Sequence, residues 1–349
     1  MNASNASVAS IEHMLVILEA NMGDQRGDQM AELSRGSLEA IACAQHLAPR
    51  RLSAVLLGGE KAMMPSSLAT LRLDEVIVVR DALLANYSAD AWVEALHQIV
   101  TLVSPSLVLM PHSYQGRDFA PRLAARLDRA LVSDCVGIER TEQGLIFIRQ
   151  MFQGRAHMRV RIGLGAPGQE APGLVTLQSG TYRAESVEQG APPPIKEINI
   201  QLLAEQMRVL VEPPFKAAVR TVDLSRADII VAVGRGIKGA EHIGLVQRLV
   251  DLLGAELAAS RPVCDEGWLP LERQVGSSGQ SVTPRIYIAI GISGAVQHTV
   301  GMKGADTIVA INKDATAPIF KIADYGLVGD LFTIVPALIR SLEAAHAGH

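Results

Sequence analysis

The fold is decided by DIIVAVGRG at residues 228–236, RIYIAIGISGAVQH at residues 285–298 and DTIVAIN at residues 306–312. Each segment is a short apolar run, as expected of a buried β-strand, followed at once by glycine or polar residues. In a parallel sheet all such turns lie at the carboxyl edge, where open α/β folds bind their ligands. Because these turns carry glycine, hydroxyl, amide and cationic groups, the pattern predicts a site for a large phosphate-bearing cofactor.

Outward from these segments, strands and helices alternate along the chain, which is typical of an α/β fold. We expect two domains: an N-terminal parallel α/β domain with an antiparallel extension (residues 1–212) and a C-terminal Rossmann-like domain (residues 213–349). The boundary is placed near Pro213, in a proline-rich segment without a periodic core pattern. The antiparallel extension is predicted from strand-like runs that have no helices between them, among them residues 145–149, 157–162 and 173–176.

Local patterns predict three further elements. Apolar periodicity indicates a helix from Gly116 to Leu131 and a short strand from Ile319 to Ile322. A helix is expected to open near Gly294, with Ser293 as its cap.

Composition excludes several classes of function. The chain has 349 residues, 48% of them hydrophobic and only 4% aromatic, as expected of cores built from aliphatic side chains. Its formal net charge of −4 provides no basic field for nucleic acid. No apolar run approaches the roughly 18 residues that a membrane span needs, so no membrane span is expected.

The three cysteines are far apart and form no C-x-x-C pair, which argues against a zinc site or an iron–sulfur cluster. No metal site is therefore expected, and Cys43, Cys135 and Cys264 are interpreted as reduced thiols. The N-terminus lacks the features of a secretory or mitochondrial targeting segment, so a cytoplasmic location is predicted.

The segment from Gly234 to Gly239 matches G-x-G-x-x-G, follows a predicted strand and is predicted to open a helix. A dinucleotide site of this kind uses an acidic residue about 20 positions later, yet this chain has Ser260 and Arg261 after the next strand. A basic residue there leaves an NADP-dependent oxidoreductase as an alternative. A glycine turn that only fits a tight corner is equally compatible with the motif, although Arg235 between two glycines favours an anion contact.

The turn from Gly291 to His298 is more specific. Small residues allow the backbone to approach a ligand, and the amides at a helix start favour an anion. A capped helix without a ligand is the alternative, against which Gln297 and His298 place two polar side chains near the strand edge. Asn312 and Asp330 taken alone are ordinary caps, but with the other turns they would surround one cleft.

At these residues the chain resembles the α subunit of electron transfer flavoprotein, the FixB-like family. The resemblance covers residues 228–343 and more loosely the first domain, through GRDFAPRLAARLD at residues 116–128. It is carried by GRG at 234–236, ASRPVCDEGW at 259–268 and QVGSSGQSVTPRIYIAIGISGAVQHTVGMKGADTIVAINKDATAPIFKIADYGLVGDLFTIVP at 274–336.

The resemblance implies a C-terminal domain that binds FAD and a β subunit that completes a heterodimer and holds AMP or a second FAD. It implies an electron carrier, not itself an enzyme, that accepts electrons from flavin dehydrogenases such as acyl-CoA dehydrogenases. The acceptor would be a quinone oxidoreductase or another redox partner. An α subunit of a flavin-based electron-bifurcating complex that uses NADH is the alternative within the same family.

The resemblance also assigns roles to residues. Arg261 corresponds to the guanidinium against the flavin ring, Ser278 to the hydroxyl facing flavin N5 and His298 to the imidazole near the N1/O2 edge. A cation or hydrogen-bond donor there stabilises the charge that reduction places on the ring. Many members read Gln-Thr where this chain has Ser277-Ser278, which keeps the hydroxyl but loses a methyl group and a longer amide. The full set of implied FAD contacts is Arg235, Ser260, Arg261, Val275, Gly276, Ser277, Ser278, Ser293, Gly294, Ala295, Val296, Gln297, His298, Asn312, Asp330 and Leu331.

Overall fold

The protein consists of two compact units, each with its own sheet and its own hydrophobic cores. The first unit comprises Met1–Lys216 and the second Ala217–His349. The predicted boundary at Pro213 lies outside the described residues. The structure is a computed structural model, which describes residues 11–21, 31–60, 62–141, 144–152, 154–162, 173–209, 211, 224 and 227–347.

The first unit is a mixed sheet with helices on both faces. A separate antiparallel pair is formed by β2 (Ala20–Asn21) and β3 (Glu32–Leu33). Two cores, one on each face of the sheet, are built mainly from aliphatic side chains. The remaining elements are β1 (His13–Leu18), α1 (Arg35–His46), β4 (Arg51–Gly58), β5 (Glu75–Arg80), α2 (Ala89–Val103), β6 (Leu107–Pro111), α3 (Tyr114–Leu127), β7 (Leu131–Thr141), β8 (Gly144–Met151), β9 (Ala156–Val160), β10 (Gly173–Leu177) and β11 (Ile195–Glu197).

The strands of the first sheet run in the order β11-β5-β4-β1-β6-β10-β7-β8-β9. All neighbours from β11 to β7 pair in parallel, whereas β7, β8 and β9 pair antiparallel. The prediction of a parallel α/β domain with an antiparallel extension is therefore confirmed. The assignment of residues 173–176 to that extension is wrong. They form β10, which lies between β6 and β7 and is parallel to both. All five of its residues are buried, as expected of a strand inside a parallel sheet.

Two predicted elements have other bounds or another conformation. Helix α3 ends at Leu127, because Asp128 adopts a left-handed conformation (φ 54°) and Leu131 already belongs to β7. The predicted strand from Ile319 to Ile322 is wrong, because residues Pro318–Lys321 form a 3₁₀ turn that begins with proline. A proline at the first position of a helical turn is sterically favourable and has no N–H to give to a sheet.

The elements of the second unit are β12 (Ile229–Val233), α4 (Ile243–Leu253), β13 (Glu256–Ala259), α5 (Arg261–Asp265), β14 (Ile286–Ile290), α6 (Val296–Thr299), β15 (Thr307–Asn312), β16 (Tyr325–Val328) and α7 (Leu331–Ala347). Its five strands form a parallel sheet in the order β13-β12-β14-β15-β16. Alternate residues face opposite sides: Val231 and Val233 contribute to one core with α4 and α7, and Ile230 and Ala232 contribute to the other. Strand β16 is the last strand at one end and all four of its residues are exposed.

Two carboxyl groups of the first unit, those of Glu19 and Glu39, have raised pKa values. Glu19, just after β1, accepts a hydrogen bond from the Ser113 hydroxyl at 2.5 Å. Glu39 in α1 is 3% exposed, accepts a hydrogen bond from the amide of Gly180 and lies 3.5 Å from Arg35. Burial raises the pKa of both carboxyl groups from 4.5 to about 7, and the hydrogen bonds and Arg35 only partly oppose this.

We predict that Glu19 and Glu39 contribute less to the stability of the first unit as the pH rises. A carboxyl group whose pKa is higher in the folded than in the unfolded state stabilises the fold fully below pH 4.5, and this contribution is lost as the pH approaches 7. Thermal or urea unfolding at several pH values measures the effect. Between pH 5 and pH 8, the change in the free energy of unfolding should be about 1–3 kcal/mol smaller in Glu19→Gln than in the unmodified chain.

The control is Glu60→Gln, which removes a carboxyl group at an exposed position. It should leave the pH dependence of unfolding as it is in the unmodified chain. An equal slope in Glu19→Gln and Glu60→Gln would contradict the assignment of a raised pKa to Glu19.

Candidate functional site

The carboxyl ends of the five parallel strands in the second unit all lie at one edge of the sheet. From β12 the chain passes outward to β13, then returns across β12 to β14 and continues to β15 and β16. The direction therefore reverses between β12 and β14, which is where open α/β sheets form a ligand crevice. The turns at this position begin at Gly234 and Gly291.

Glycines bring these two turns into direct backbone contact. The Gly234 amide donates to the carbonyl of Ile290 (2.8 Å), and the Gly236 amide donates to that of Gly291 (3.1 Å). A Cβ atom at Gly234 would lie 2.3 Å from the Gly291 carbonyl oxygen. Gly291 has a φ of +64°, a conformation that glycine adopts without strain.

This contact explains the G-x-G-x-x-G motif without a ligand. The predicted helix does not open at the motif, because two 3₁₀ turns, Arg235–Ile237 and Ala240–His242, precede α4. A dinucleotide fingerprint needs a helix that begins directly at the glycines, with its first amides on the pyrophosphate. The motif is thus a packing feature, with Arg235 exposed beside it.

The loop at residues 274–280 joins two parts of the edge. The Val275 amide donates to the carbonyl of Ala259 at the end of β13 (2.9 Å), and the Ser277 amide donates to the carbonyl of Gln297 in α6 (2.7 Å). Gly276 is required here, since a Cβ atom on it would lie 2.6 Å from the Gln297 oxygen. The loop therefore places Ser277 and Ser278 between the end of β13 and α6.

Arg261 is the cation of this region. It begins α5 directly after Ser260, which is buried and makes no capping hydrogen bond with its side chain. The Arg261 side chain is 68% exposed, and its Nε lies 3.3 Å from a carboxylate oxygen of Asp265. An exposed ion pair of this kind contributes little free energy, so the guanidinium is free to reorient toward a ligand.

Ser278 has its hydroxyl group oriented by a neighbour. The side-chain amide of Gln274, which is buried, donates to the Ser278 oxygen at 2.9 Å. Because the oxygen accepts this bond, the hydroxyl hydrogen remains available as a donor. Ser278 is exposed, so that donor can reach a ligand.

His298 is a buried, neutral imidazole. It is 6% exposed, and its Nε2 lies 2.9 Å from the hydroxyl oxygen of Tyr287. Its Nδ1 is buried and makes no hydrogen bond of standard geometry. Burial lowers the pKa of His298 to about 4, which the backbone of Val275 partly opposes. At neutral pH His298 is therefore a hydrogen-bond group and carries no charge.

The turn after β14 differs from expectation in one detail. Helix α6 is a single turn that begins at Val296, and its capping residue is Ala295. Ser293 is exposed and does not cap the helix; its carbonyl accepts from the amide of Ile319 (3.0 Å). Gly294 (φ +86°) allows this, because a Cβ atom there would lie 2.3 Å from the Ile319 nitrogen. The first amides of α6, those of Val296 and Gln297, have no carbonyl one turn earlier in the helix.

Asn312 uses both ends of its amide to hold turns. Its Nδ2 donates to the Ile292 carbonyl (2.9 Å), and its Oδ1 accepts from the Asp314 amide (3.0 Å). It therefore connects the turns after β14 and β15.

Asp330 and Leu331 also have structural partners. The Asp330 carboxylate accepts from the Phe332 amide (2.9 Å) at the start of α7. Leu331 is buried in the core and packs against Gly291. Any ligand contact from these two residues thus involves a second oxygen of Asp330 or the backbone.

Two groups that contact predicted site residues were absent from the sequence prediction: Tyr287, which contacts His298, and Gln274, which contacts Ser278. Tyr287 is the one aromatic residue in IYIAI, and a lone hydroxyl in a buried aliphatic strand is a usable signal. Gln274 has no comparable signal, because its contact with Ser278 depends on the path of the loop.

Comparison with known proteins gives the family. The model for the electron transfer flavoprotein domain matches residues 25–203, and that for the electron transfer flavoprotein FAD-binding domain matches residues 223–303. The chain belongs to the electron transfer flavoprotein α-subunit family.

Relatives of this family match over most of the chain. The electron transfer flavoprotein subunit alpha of Thermoanaerobacterium thermosaccharolyticum is 35% identical, covering 89% of this chain and 94% of that protein. Protein FixB of Clostridium saccharobutylicum is 35% identical over 93% of this chain and 98% of its own length. The acryloyl-CoA reductase electron transfer subunit beta of Anaerotignum propionicum is 32% identical over 98% and 99%. Nothing in these comparisons supports an NADP-dependent oxidoreductase.

The edge of the second sheet fits a flavin nucleotide. It offers exposed guanidinium groups for phosphate or ring contacts and a hydroxyl donor at Ser278. It also offers a buried imidazole nitrogen at His298 that has no hydrogen-bond partner among the described residues. In the described part of the chain, no group of three or more His, Cys, Asp and Glu side chains is placed to hold a metal ion. No helix among the described residues is long and apolar enough to cross a bilayer.

We predict that the backbone contact at the strand reversal tolerates no side chain. Gly234→Ala should destabilise the second unit by about 2–3 kcal/mol, because the added methyl group overlaps the Gly291 carbonyl. Gly244→Ala in α4 is the matched control: a Cβ atom there meets nothing within 4 Å, so it should stabilise the helix by up to about 1 kcal/mol.

Urea unfolding followed by tryptophan fluorescence measures both variants. The chain has two tryptophans, Trp92 in the first unit and Trp268 in the second, so a Trp92→Phe background reports the second unit alone. Similar stabilities for the two glycine variants would rule out a close backbone contact at Gly234.

Proposed function

We propose that this chain is the FAD-binding subunit of a heterodimeric electron carrier. In this proposal it takes electrons from flavin dehydrogenases, acyl-CoA dehydrogenases among them, and passes them to a quinone oxidoreductase or another acceptor. The observation that supports it most is that the loop carrying Ser278 bonds to Ala259, two residues before Arg261, and to Gln297, next to His298. All of these residues lie within the stretch matched by the family's FAD-binding domain.

Each of these three residues has a separate task in the proposed site. FAD, when bound, supplies the redox chemistry by accepting and releasing electrons. Arg261 places a permanent positive charge against the ring, since guanidinium is planar, stacks well and stays protonated. Ser278, whose oxygen already accepts from Gln274, would donate its hydroxyl hydrogen to N5, and the neutral His298 would meet the N1/O2 edge.

The remaining predicted residues would hold the rest of the cofactor. Arg235 and the first amides of α6 are suited to the phosphates, because Arg235 is an exposed cation and the first amides of a helix have no carbonyl one turn earlier. The other proposed contacts are Ser260, Val275, Gly276, Ser277, Ser293, Gly294, Ala295, Val296, Gln297, Asn312, Asp330 and Leu331.

The proposal assigns a role to each domain. Residues 213–349 form the FAD-binding domain, and residues 1–212 pack on a β subunit that holds AMP or a second FAD. The location is proposed to be cytoplasmic.

An α subunit of a bifurcating complex using NADH is the second candidate. This candidate is supported by the similarity to a protein named as an electron transfer subunit of acryloyl-CoA reductase, because that name implies that its electrons are delivered to a reductase.

Purification together with the β subunit tests the function. A visible flavin spectrum is expected, and extraction should yield one FAD and one AMP per heterodimer for the carrier or two FAD for the bifurcating complex. A colourless heterodimer that binds NADPH tightly would overturn the proposal.

We predict that Arg261→Ala lowers the reduction potential of the bound FAD. Loss of the adjacent cation should shift it by about −30 to −60 mV, equivalent to a tenfold to hundredfold weaker preference for the reduced form. Arg285→Ala is the control, since Arg285 is exposed at the opposite, amino end of β14. The potentials are measured by titration against a dye of known potential. Equal potentials in the two variants would contradict a position of Arg261 beside the flavin ring.

A further inference from the structure

Tyr287 is an isolated polar group in an apolar core. It is fully buried in β14, and the core around it is formed by residues such as Val275, Ile292 and Met302. Its hydroxyl oxygen lies 2.9 Å from Nε2 of His298, and no other hydrogen bond to this hydroxyl is found among the described residues. Burial raises the pKa of the phenol, so it keeps its proton.

The hydrogen-bond requirements of the pair select one tautomer. If the Tyr287 hydroxyl donates to Nε2 of His298, the phenol hydrogen is satisfied and the imidazole proton is on Nδ1. In the reverse arrangement Nε2–H donates to Tyr287, which leaves both the phenol hydrogen and a bare Nδ1 without partners. Each buried polar group without a partner costs free energy, so the first arrangement is favoured.

The surroundings of Nδ1 support the same tautomer. The backbone of Val275 raises the pKa of His298, which means that it favours the protonated imidazole. A backbone group does this as a carbonyl acceptor, and Nε2 is already occupied by Tyr287. Nδ1 is buried and makes no bond of standard geometry to that carbonyl, so its hydrogen has no fixed acceptor among the described residues.

We propose that Tyr287 is a positioning residue that holds His298 in the Nδ1–H tautomer, so that His298 presents a neutral hydrogen-bond donor to the flavin. The flavin part rests on the proposed function; the tautomer is a property of the chain itself. A donor at this position stabilises a flavin edge that gains negative charge, whereas a bare Nδ1 lone pair would repel it. Tyr287 thus acts on the flavin only through His298.

The first measurement determines the tautomer of His298 in the unmodified chain, purified with its β subunit and with FAD removed. Nitrogen-15 NMR of histidine-labelled protein distinguishes Nδ1–H from Nε2–H, and His298→Gln identifies the signal among the nine histidines. The Nδ1–H form is expected near neutral pH. An Nε2–H signal overturns the inference, whether or not the protein binds FAD.

The second measurement uses Tyr287→Phe, which removes the hydroxyl group and keeps the ring. The proportion of Nε2–H tautomer should rise, and the FAD dissociation constant should increase about tenfold. Tyr325→Phe is the matched control, because Tyr325 is on the exposed edge strand of the same sheet, and it should change neither quantity.

The outcomes separate this inference from the proposed function. An unchanged tautomer in Tyr287→Phe overturns the role of Tyr287 even if the heterodimer carries FAD. A heterodimer without flavin overturns the proposed function and the flavin part of the inference, while the NMR signal still decides the tautomer. If Tyr287→Phe fails to fold, the tautomer of the unmodified chain decides the inference alone.

Discussion

The second unit depends on the contact between two backbone turns at the point where the sheet reverses direction. Gly234 and Gly236 lie so close to Gly291 that no side chain fits between them. This contact fixes the ends of β12 and β14 relative to each other, and the neighbouring strands then place their own turns along the same edge. The polar groups of the proposed site are positioned by this rigid edge and by the loop at residues 274–280.

The proposed site combines two electrostatic environments. Arg261 is permanently charged, exposed and held by one weak ion pair, so water stabilises its charge until a ligand replaces it. His298 is buried, and the cost of charging it there keeps it neutral. The site thus combines a cation that can reorient, Arg261, with a dipole held in place, His298. Only Arg261 needs to move when a ligand binds.

The sequence predicts the fold where local patterns are sufficient. Strands β12, β14 and β15 of the second unit follow from apolar runs, and the antiparallel extension follows from strands without helices between them, whereas β16 (Tyr325–Val328) was not predicted. Nonlocal features were missed: β10 is inserted between two parallel strands, and the helix expected at Gly234 is replaced by 3₁₀ turns because the backbone there pairs with Gly291. The flavin-facing roles came from the family resemblance, whereas the contact between Tyr287 and His298 required coordinates.

Strand β16 has a consequence for the way the chain behaves in isolation. It ends the second sheet with exposed apolar side chains, of which Tyr325 and Val328 are the most exposed, and with one row of backbone groups unpaired by any described strand. Such an edge is a template onto which another strand can add, and it is protected mainly by its length of four residues and the glycine within it. Production of the chain without a partner therefore carries a risk of self-association that begins at the exposed side of this sheet.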